Sequence, residues 1–474
     1  MDKKLILVTG ASGYIASRLI PRLLEQGYRV RAMARRPEQL AARSWANRVE
    51  LVRGDITAPS TLDAALNGVH AAYYLIHNMT IGRGYTQIEI NGAHNFALAA
   101  EHAGIEQIIY LGGLADPNDK HIGIHLRSRM ETGEMLRRGK VPVTEFRAGV
   151  IAGSGSISFE MIRFMTEALP LIIGPTWLRN QAQPIATENV IDYLTAALEN
   201  SDSQSRIVEI GGNEIITYGD LMLRYAHVRG LKRNLIMLPG IPLWFMAMGV
   251  GLTTPVPYPI AYALTGGLAS DSIVQHEEAL RIFSSVRLID FEDATTNALH
   301  RLSPSSMERI WEGLNNDAVH TKHEGFFIDY RRIEITASPE SVYQVLTSLG
   351  GGHGWLYANW LWQLRGWMDR LFDGPGLRGP SDSLLKENSP VDYYRVEAIE
   401  PNRLLRLHSE LRAPGDGWME WRVDAFKNGS LLTQTAFFAP RGLPGFLYWH
   451  LLDPLHRLVF RGLIQAIKRR SETQ

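Results

Sequence analysis

At 474 residues the chain is longer than one compact core, so at least two domains are expected. Its 49 Lys and Arg balance 49 Asp and Glu, which removes the basic footprint of a nucleic-acid binder, and the absence of cysteine excludes disulfides and thiolate metal sites. No charged-then-apolar leader precedes the first apolar run, so a reducing, cytoplasmic setting is expected.

Residues 5–20, LILVTGASGYIASRLI, read as a short apolar strand, a glycine-punctuated turn and the start of a helix. This order predicts a dinucleotide pyrophosphate site. Gly10 permits the tight turn and Gly13 lets the backbone come close to phosphates, with Ala11, Ser12, Tyr14 and Ile15 completing the loop and first helical turn. Ala16 is small enough for close helix-strand packing.

The second strand, Arg29 to Ala34, runs into Arg35 and Arg36 where an acidic residue would hold a ribose 2′-hydroxyl. Guanidinium groups suit a 2′-phosphate by charge and bidentate geometry, so NADP(H) is favoured and NAD(H) is the lesser option. A third strand, Leu51 to Ile56, ends in Asp55, placed to take an adenine amino group, with Ile56 beside it. The apolar run Ala71 to His77 brings Ile76 and His77 to the nicotinamide half. Asn91 to Ala103 reads as a helix, Gln107 to Leu111 and Val143 to Ile151 as strands, Phe159 to Leu169 and Ala186 to Leu198 as helices, and Ile207 to Ile210 as a late edge strand. The alternation predicts an α/β fold with a Rossmann-type doubly wound parallel sheet. Helical patterns then dominate through Trp311.

From Asn234 to Ser270 there is no charged residue. Pro239, Pro242, Pro255, Pro257 and Pro259 break this stretch into pieces, so a buried or surface-apolar helical subdomain is expected rather than a membrane span, with peripheral bilayer contact left open. After Gly325 the pattern changes. Phe326 to Thr336 alternates as a strand, Ser338-Pro339-Glu340 caps a short helix running to Leu349, and a tryptophan-rich helical segment follows. Strands are expected around Tyr393 to Ile399, Leu404 to Leu411, Trp418 to Ala425 and Leu431 to Phe438, then a last helix from about Pro454 to Arg469. This order predicts an α+β helix-grip domain. Seven of the eleven tryptophans (Trp355, Trp360, Trp362, Trp367, Trp418, Trp421 and Trp449) fall here, enough to line an apolar cavity, although packing explains any single one. The expected division is 1–320, with a helical subdomain at about 212–315, and 325–474.

VTGASGYIA, VRAMARRP, GDIT, EINGAHNFALAAEHAGI, QIIYLGGL and VTEFRAGVIAGSGS together resemble the atypical short-chain dehydrogenase/reductase superfamily, in its NmrA-like and complex I accessory-subunit-like neighbourhood. IGPTWLRNQAQPIATENVIDYL, GWLYANWLWQLRGWMDRL, VDYYRVEAIEP and PRGLPGFLYW are similar to a bacterial two-domain family whose second part is a domain of unknown function, START-like by its predicted elements. The resemblance implies NAD(P) binding and a Tyr-x-x-x-Lys pair, in which the phenol handles the proton, the lysine lowers its pKa and a serine steadies the substrate oxygen. Here the pair falls on His125 and Arg129, and the serine position on Gly112 or Gly113. His125 is therefore a candidate acid, and Arg129 a candidate holder of nicotinamide ribose or a substrate oxyanion, against the plainer reading of a loop histidine beside a salt-bridging arginine. His77 is a second candidate.

His121, His125, His320 and His323 form no metal-binding run, GASGYIA lacks the Lys-Ser/Thr of a phosphate-hydrolysing loop, and Lys468-Arg469-Arg470 suits a helix C-terminus. Three functions stay open. The first is an NADP(H)-binding oxidoreductase for an apolar carbonyl or quinone-type small molecule. The second, implied by the NmrA-like resemblance, is a non-catalytic NAD(P)(H)-dependent sensor or scaffold. The third is a lipid- or quinone-binding protein at the membrane surface.

Overall fold

The computed structural model describes residues 3–473 except 42, 78–83, 255, 308, 310–315, 351–353 and 379–384. The chain divides into two compact units, Met1–Leu314 and Asn315–Gln474.

The first unit opens with β1 (Leu5–Val8), α1 (Tyr14–Glu25), β2 (Arg29–Ala34), β3 (Glu50–Arg53), α2 (Leu62–Leu66), β4 (Ala71–Tyr74), α3 (Tyr85–Ala103), β5 (Gln107–Gly113), α4 (Ile124–Arg137) and β6 (Val143–Ala148). It continues with β7 (Ile151–Ala152), α5 (Ile157–Ala168), β8 (Leu171–Pro175), β9 (Gln181–Ala182), β10 (Ile185–Ala186), α6 (Thr187–Ala196), β11 (Ile207–Ile210), β12 (Ile216–Thr217) and α7 (Tyr218–Val228). It closes with β13 (Asn234–Leu238), α8 (Leu243–Thr253), α9 (Tyr258–Gly267), α10 (Glu278–Ile282) and α11 (Phe291–His300).

Seven strands form one parallel sheet in the order β11-β6-β5-β4-β1-β2-β3. Both faces are covered, which is why β1 is apolar at every position. Ile6 and Val8 enter one core with Leu19, Leu23 and Val208, while Leu5 and Leu7 enter the opposite core with Phe96, Ile108 and Leu136. Chain order reverses between β1 and β4, so the connections leave in opposite directions there and a crevice opens beyond the carboxyl ends of the strands.

The region after residue 212 is less purely helical than the sequence pattern suggests. Leu171–Pro175 is a strand that pairs in parallel with Asn234–Leu238, so the charge-free stretch begins as a strand and only then forms α8 and α9. Pro242 and Pro257 precede those helices and Pro259 lies in the first turn of α9, where a missing N–H breaks no intrahelical bond. Pro255, Trp311 and the end of the expected helical subdomain lie outside the described residues. Among the described residues no helix is long and apolar enough to cross a membrane.

The second unit runs β14 (Ala318–His323), β15 (Phe326–Ile335), α12 (Pro339–Thr347), α13 (Asn359–Leu371), β16 (Pro390–Val391), β17 (Tyr394–Glu400), β18 (Leu404–Ser409), β19 (Gly415–Phe426), β20 (Gly429–Pro440) and α14 (Gly442–Glu472). Its seven strands are antiparallel in the order β14-β15-β20-β19-β18-β17-β16. Ser338 caps α12 as its sequence implies, its hydroxyl accepting from the Ser341 amide. The last helix begins well before Pro454, which sits inside it on the exposed side where water can serve the carbonyl left without a donor.

Five of the seven tryptophans of this unit fill its interior. Trp355 stacks on Trp362 at 4.3 Å and donates its indole N–H to Asp392 at 2.7 Å, and Trp421 donates to Gln434 at 3.0 Å. Trp449 lies between Phe327 and Phe438, and Trp418 packs edge-on against Phe326. These rings are each other's packing partners. Trp360 and Trp367 are exposed.

Candidate functional site

The chain leaves β1 through Thr9 and turns at Gly10, whose φ of +62° favours glycine and where a Cβ would stand 2.8 Å from the Leu75 carbonyl oxygen. Gly13 donates its amide to the Gly10 carbonyl at 2.8 Å and precedes α1, whose first amides have no partner within the helix. The start of α1 is braced by the neighbouring start of α6 and the loop before α5 on the same face of the sheet. The Tyr14 hydroxyl meets Thr187 Oγ1 at 2.8 Å, and Arg18 donates to the Ser154 carbonyl at 2.8 Å.

This turn forms one end of a cleft of about 490 Å³ within the first unit, inside the size range of small-molecule sites. Of the residues singled out from sequence, Gly10, Ser12, Gly13, Tyr14, Ile15, Arg35, Asp55, Ile56, Ile76, His77, Gly112, His125 and Arg129 line it. Two do not. Ala11 is fully buried under the turn, its amide donating to the Met33 carbonyl, and Arg36 is exposed at the start of a single 3₁₀ turn beyond the lining. Asp55 has one carboxylate oxygen bonded to the amide and hydroxyl of Thr57, so only the other oxygen can face a ligand.

The far end of the cleft is apolar, with Val150, Ile157, Ile260, Leu264 and Leu268 on its walls and Tyr218 among them. Between the two ends stands a polar cluster. His77 Nδ1 and Glu89 Oε1 are 2.5 Å apart, and the Ser128 hydroxyl donates to Glu89 Oε2 at 2.5 Å. The rings of His77 and His125 lie 4.9 Å apart, and His77 Nε2, His125 Nδ1 and the Tyr85 hydroxyl are buried with no hydrogen-bond partner among the described residues. Burial, with the neighbouring His77 and Arg129, pushes the His125 imidazole down to about 3. Burial also lowers His77 against the pull of Glu89.

The imidazolium acid expected at position 125 is therefore replaced at neutral pH by a neutral imidazole. A neutral ring in this setting can donate a hydrogen bond to a developing oxyanion without releasing a full charge. Arg129 bonds the carbonyls of Leu111 and Ile76, the latter at 3.4 Å, and so ties the carboxyl ends of β4 and β5 together while presenting its charge to the cleft. Gly113 sits where a Cβ would be 2.8 Å from Leu126. The serine of the usual arrangement has no counterpart at Gly112 or Gly113.

Sequence reading missed Glu89, Ser128 and Arg43. Glu89 is a nearly buried carboxylate on α3, and its signal was an acid among apolar helical neighbours. Arg43 is buried and donates to the Ser12 carbonyl at 3.4 Å, which places a second guanidinium against the glycine turn. Among the described residues no cluster of His, Asp and Glu could hold a metal ion.

Residues 2–168 match the NmrA-like family and residues 323–463 a family described only as a protein of unknown function, DUF2867. Triphenylmethane reductase of Citrobacter sp. superposes with a TM-score of 0.52 at 18% identity, covering 62% of this chain and 99% of that one. The (4-alkanoyl-5-oxo-2,5-dihydrofuran-3-yl)methyl phosphate reductase of Streptomyces griseus is 26% identical over 270 residues, 55% of this chain and 84% of its own. The chain spans about a third of the length of several curated relatives, among them cinnamoyl-CoA reductase 1 of Oryza sativa, 29% identical over 115 residues that make up 23% of this chain and 34% of that enzyme. The chain thus joins an NmrA-like segment on a Rossmann-type parallel sheet to a DUF2867 segment on a separate antiparallel sheet.

Proposed function

We propose that the first unit is an NADP(H)-dependent reductase of an apolar carbonyl or quinone-type acceptor. The observation that carries this reading is the sharing of one cleft by the glycine turn, the Arg35 guanidinium, the neutral His125 and an apolar far wall. The residues fit a dinucleotide: a Cβ would fill the cradle at Gly10, and Arg35 supplies charge at the end of β2 where a 2′-phosphate would lie. Two relatives named as reductases, the Citrobacter and Streptomyces enzymes, support the reaction class.

When bound, the reduced nicotinamide supplies a hydride to the acceptor carbon. The protein's part is to orient and to handle the proton. Glu89 holds the His77 Nδ1 side through one carboxyl oxygen and accepts from the Ser128 hydroxyl with the other, which fixes the orientation of the His77 ring. As the carbonyl π pair moves to oxygen, His125 stabilises the alkoxide by hydrogen bonding, Arg129 adds positive potential, and a proton taken up from solvent completes the alcohol. The apolar wall excludes bulk water from the acceptor.

The test is calorimetric titration with NADPH, NADP, NADH and NAD, followed by NADPH consumption against apolar ketones and quinones. Micromolar binding of the phosphorylated forms, about −8 kcal/mol, is expected, with turnover that His125→Ala abolishes while cofactor affinity holds. Absence of binding by all four dinucleotides would overturn the reading. Binding without turnover of any acceptor would leave the sensor function instead.

A further inference from the structure

The exposed faces of α13 and α14 form an amphipathic surface that the core of the second unit does not use. On α13, Trp360, Leu364, Trp367 and Leu371 recur at helical spacing, and Trp360 and Trp367 are 65% and 59% exposed. On α14, Leu447, Leu451, Leu455 and Leu458 do the same, Leu451 being 80% exposed. The two helices are neighbours, since Arg365 of α13 reaches both the Tyr448 hydroxyl and His456 of α14. Contiguous exposed apolar surface of this kind marks a docking site.

Charge identifies the occupant. The apolar stripe of α14 continues at helical spacing into Arg461, Gln465 and Arg469, all exposed. Both acids of the helix are already engaged, Asp453 by Arg457 at 2.5 Å and Glu472 by Lys468 at 3.7 Å, and among the described residues no carboxylate pairs with Arg461 or Arg469. Arg365 lies partly buried between the helices, with the Tyr448 hydroxyl, His456 and nearby Asp369 around it, so the surface charge of this face rests on Arg461 and Arg469. Leucine and tryptophan beside uncompensated arginine is the composition that lies in the plane of an anionic bilayer.

We propose that the α13–α14 face docks the protein on an anionic phospholipid surface. This surface is distinct from the charge-free stretch Asn234–Ser270 of the first unit, and the proposal stands whether or not the cofactor reading holds.

The experiment is co-sedimentation of the full chain with vesicles of phosphatidylcholine alone or of phosphatidylcholine with phosphatidylglycerol. Binding to the anionic vesicles, weakened by salt, is expected. Trp360→Ser/Trp367→Ser/Leu451→Ser should weaken it roughly tenfold, and Arg461→Glu/Arg469→Glu should remove the preference for the anionic lipid. Because every substituted side chain is exposed, both variants should keep the wild-type melting profile. If either does not, quenching of wild-type tryptophan fluorescence by brominated lipid replaces it, and no quenching overturns the proposal. It is also overturned by wild-type protein that stays in the supernatant, by equal binding to both vesicles, or by self-association that the triple variant abolishes, which would make a second copy the occupant.

Discussion

The two sheets of this chain place their chemistry in opposite locations. In the first unit all strands point the same way, so their carboxyl ends gather on one edge and the glycine turn, Arg35, His77 and Arg129 converge there. In the second unit the strands alternate, so no edge collects their carboxyl ends, and stacked tryptophans pack in the core beneath α14. The recognition proposed for it falls instead on the outer face of its helices. On that reading, topology more than composition decides whether a unit offers an edge or a surface.

Both units nevertheless bury a histidine beside an arginine, His125 near Arg129 and His456 near Arg365, and in both burial drives the imidazole down to about 3. In the first unit the pair faces a cleft. In the second it lies between helices.

The sharpest way to separate the two units is Trp355→Ala. This ring is 1% exposed and stacked, so its loss should destabilise the second unit by about 3–5 kcal/mol, lowering one melting transition in calorimetry while cofactor affinity is unchanged. A parallel loss of cofactor binding would mean that the units fold as one.

Acid gives the next largest effect. Histidines held at about 3 in the folded chain titrate near 6.5 when unfolded, so the unfolded chain takes up protons first and stability present above pH 6.5 is lost as pH falls towards 3. The loss is about 1.4 kcal/mol per pH unit for each histidine. His456→Gln should therefore recover about 2–3 kcal/mol relative to wild type between pH 6.5 and pH 4.5 in urea unfolding. Identical slopes for the two proteins would show that His456 is solvated.

Gly10→Ala sharpens the edge argument. A left-handed alanine costs about 1–2 kcal/mol, and its Cβ would press the Leu75 carbonyl, so roughly 30-fold weaker dinucleotide binding is expected by calorimetry with α1 still folded by circular dichroism. The smallest effect is expected of Arg35→Glu, about tenfold weaker NADPH binding with NADH unchanged. Equal loss for both would sink the 2′-phosphate assignment.

Much of the cleft was legible because the glycine turn is local. Gly10 and Gly13 act on their own backbone, and Arg35 and Asp55 follow the ends of β2 and β3 within two residues. Glu89 and Ser128 were not, since Glu89 meets His77, and Ser128 meets Glu89, only after α3 and α4 have packed over the sheet. The strand Leu171–Pro175 was missed for the same reason: its pairing partner, Asn234–Leu238, lies beyond two helices and leaves no local trace.

By itself the sequence determined the alternation that makes a parallel sheet, the phosphate turn, and the change of pattern after Gly325, because periodicity and glycine conformation are properties of neighbouring residues. Tertiary structure alone decided that His125 is neutral, that five tryptophans are core while Trp360 and Trp367 face outward, and that α13 and α14 lie together. Burial and charge compensation depend on which distant segments meet, and no window of sequence contains both partners.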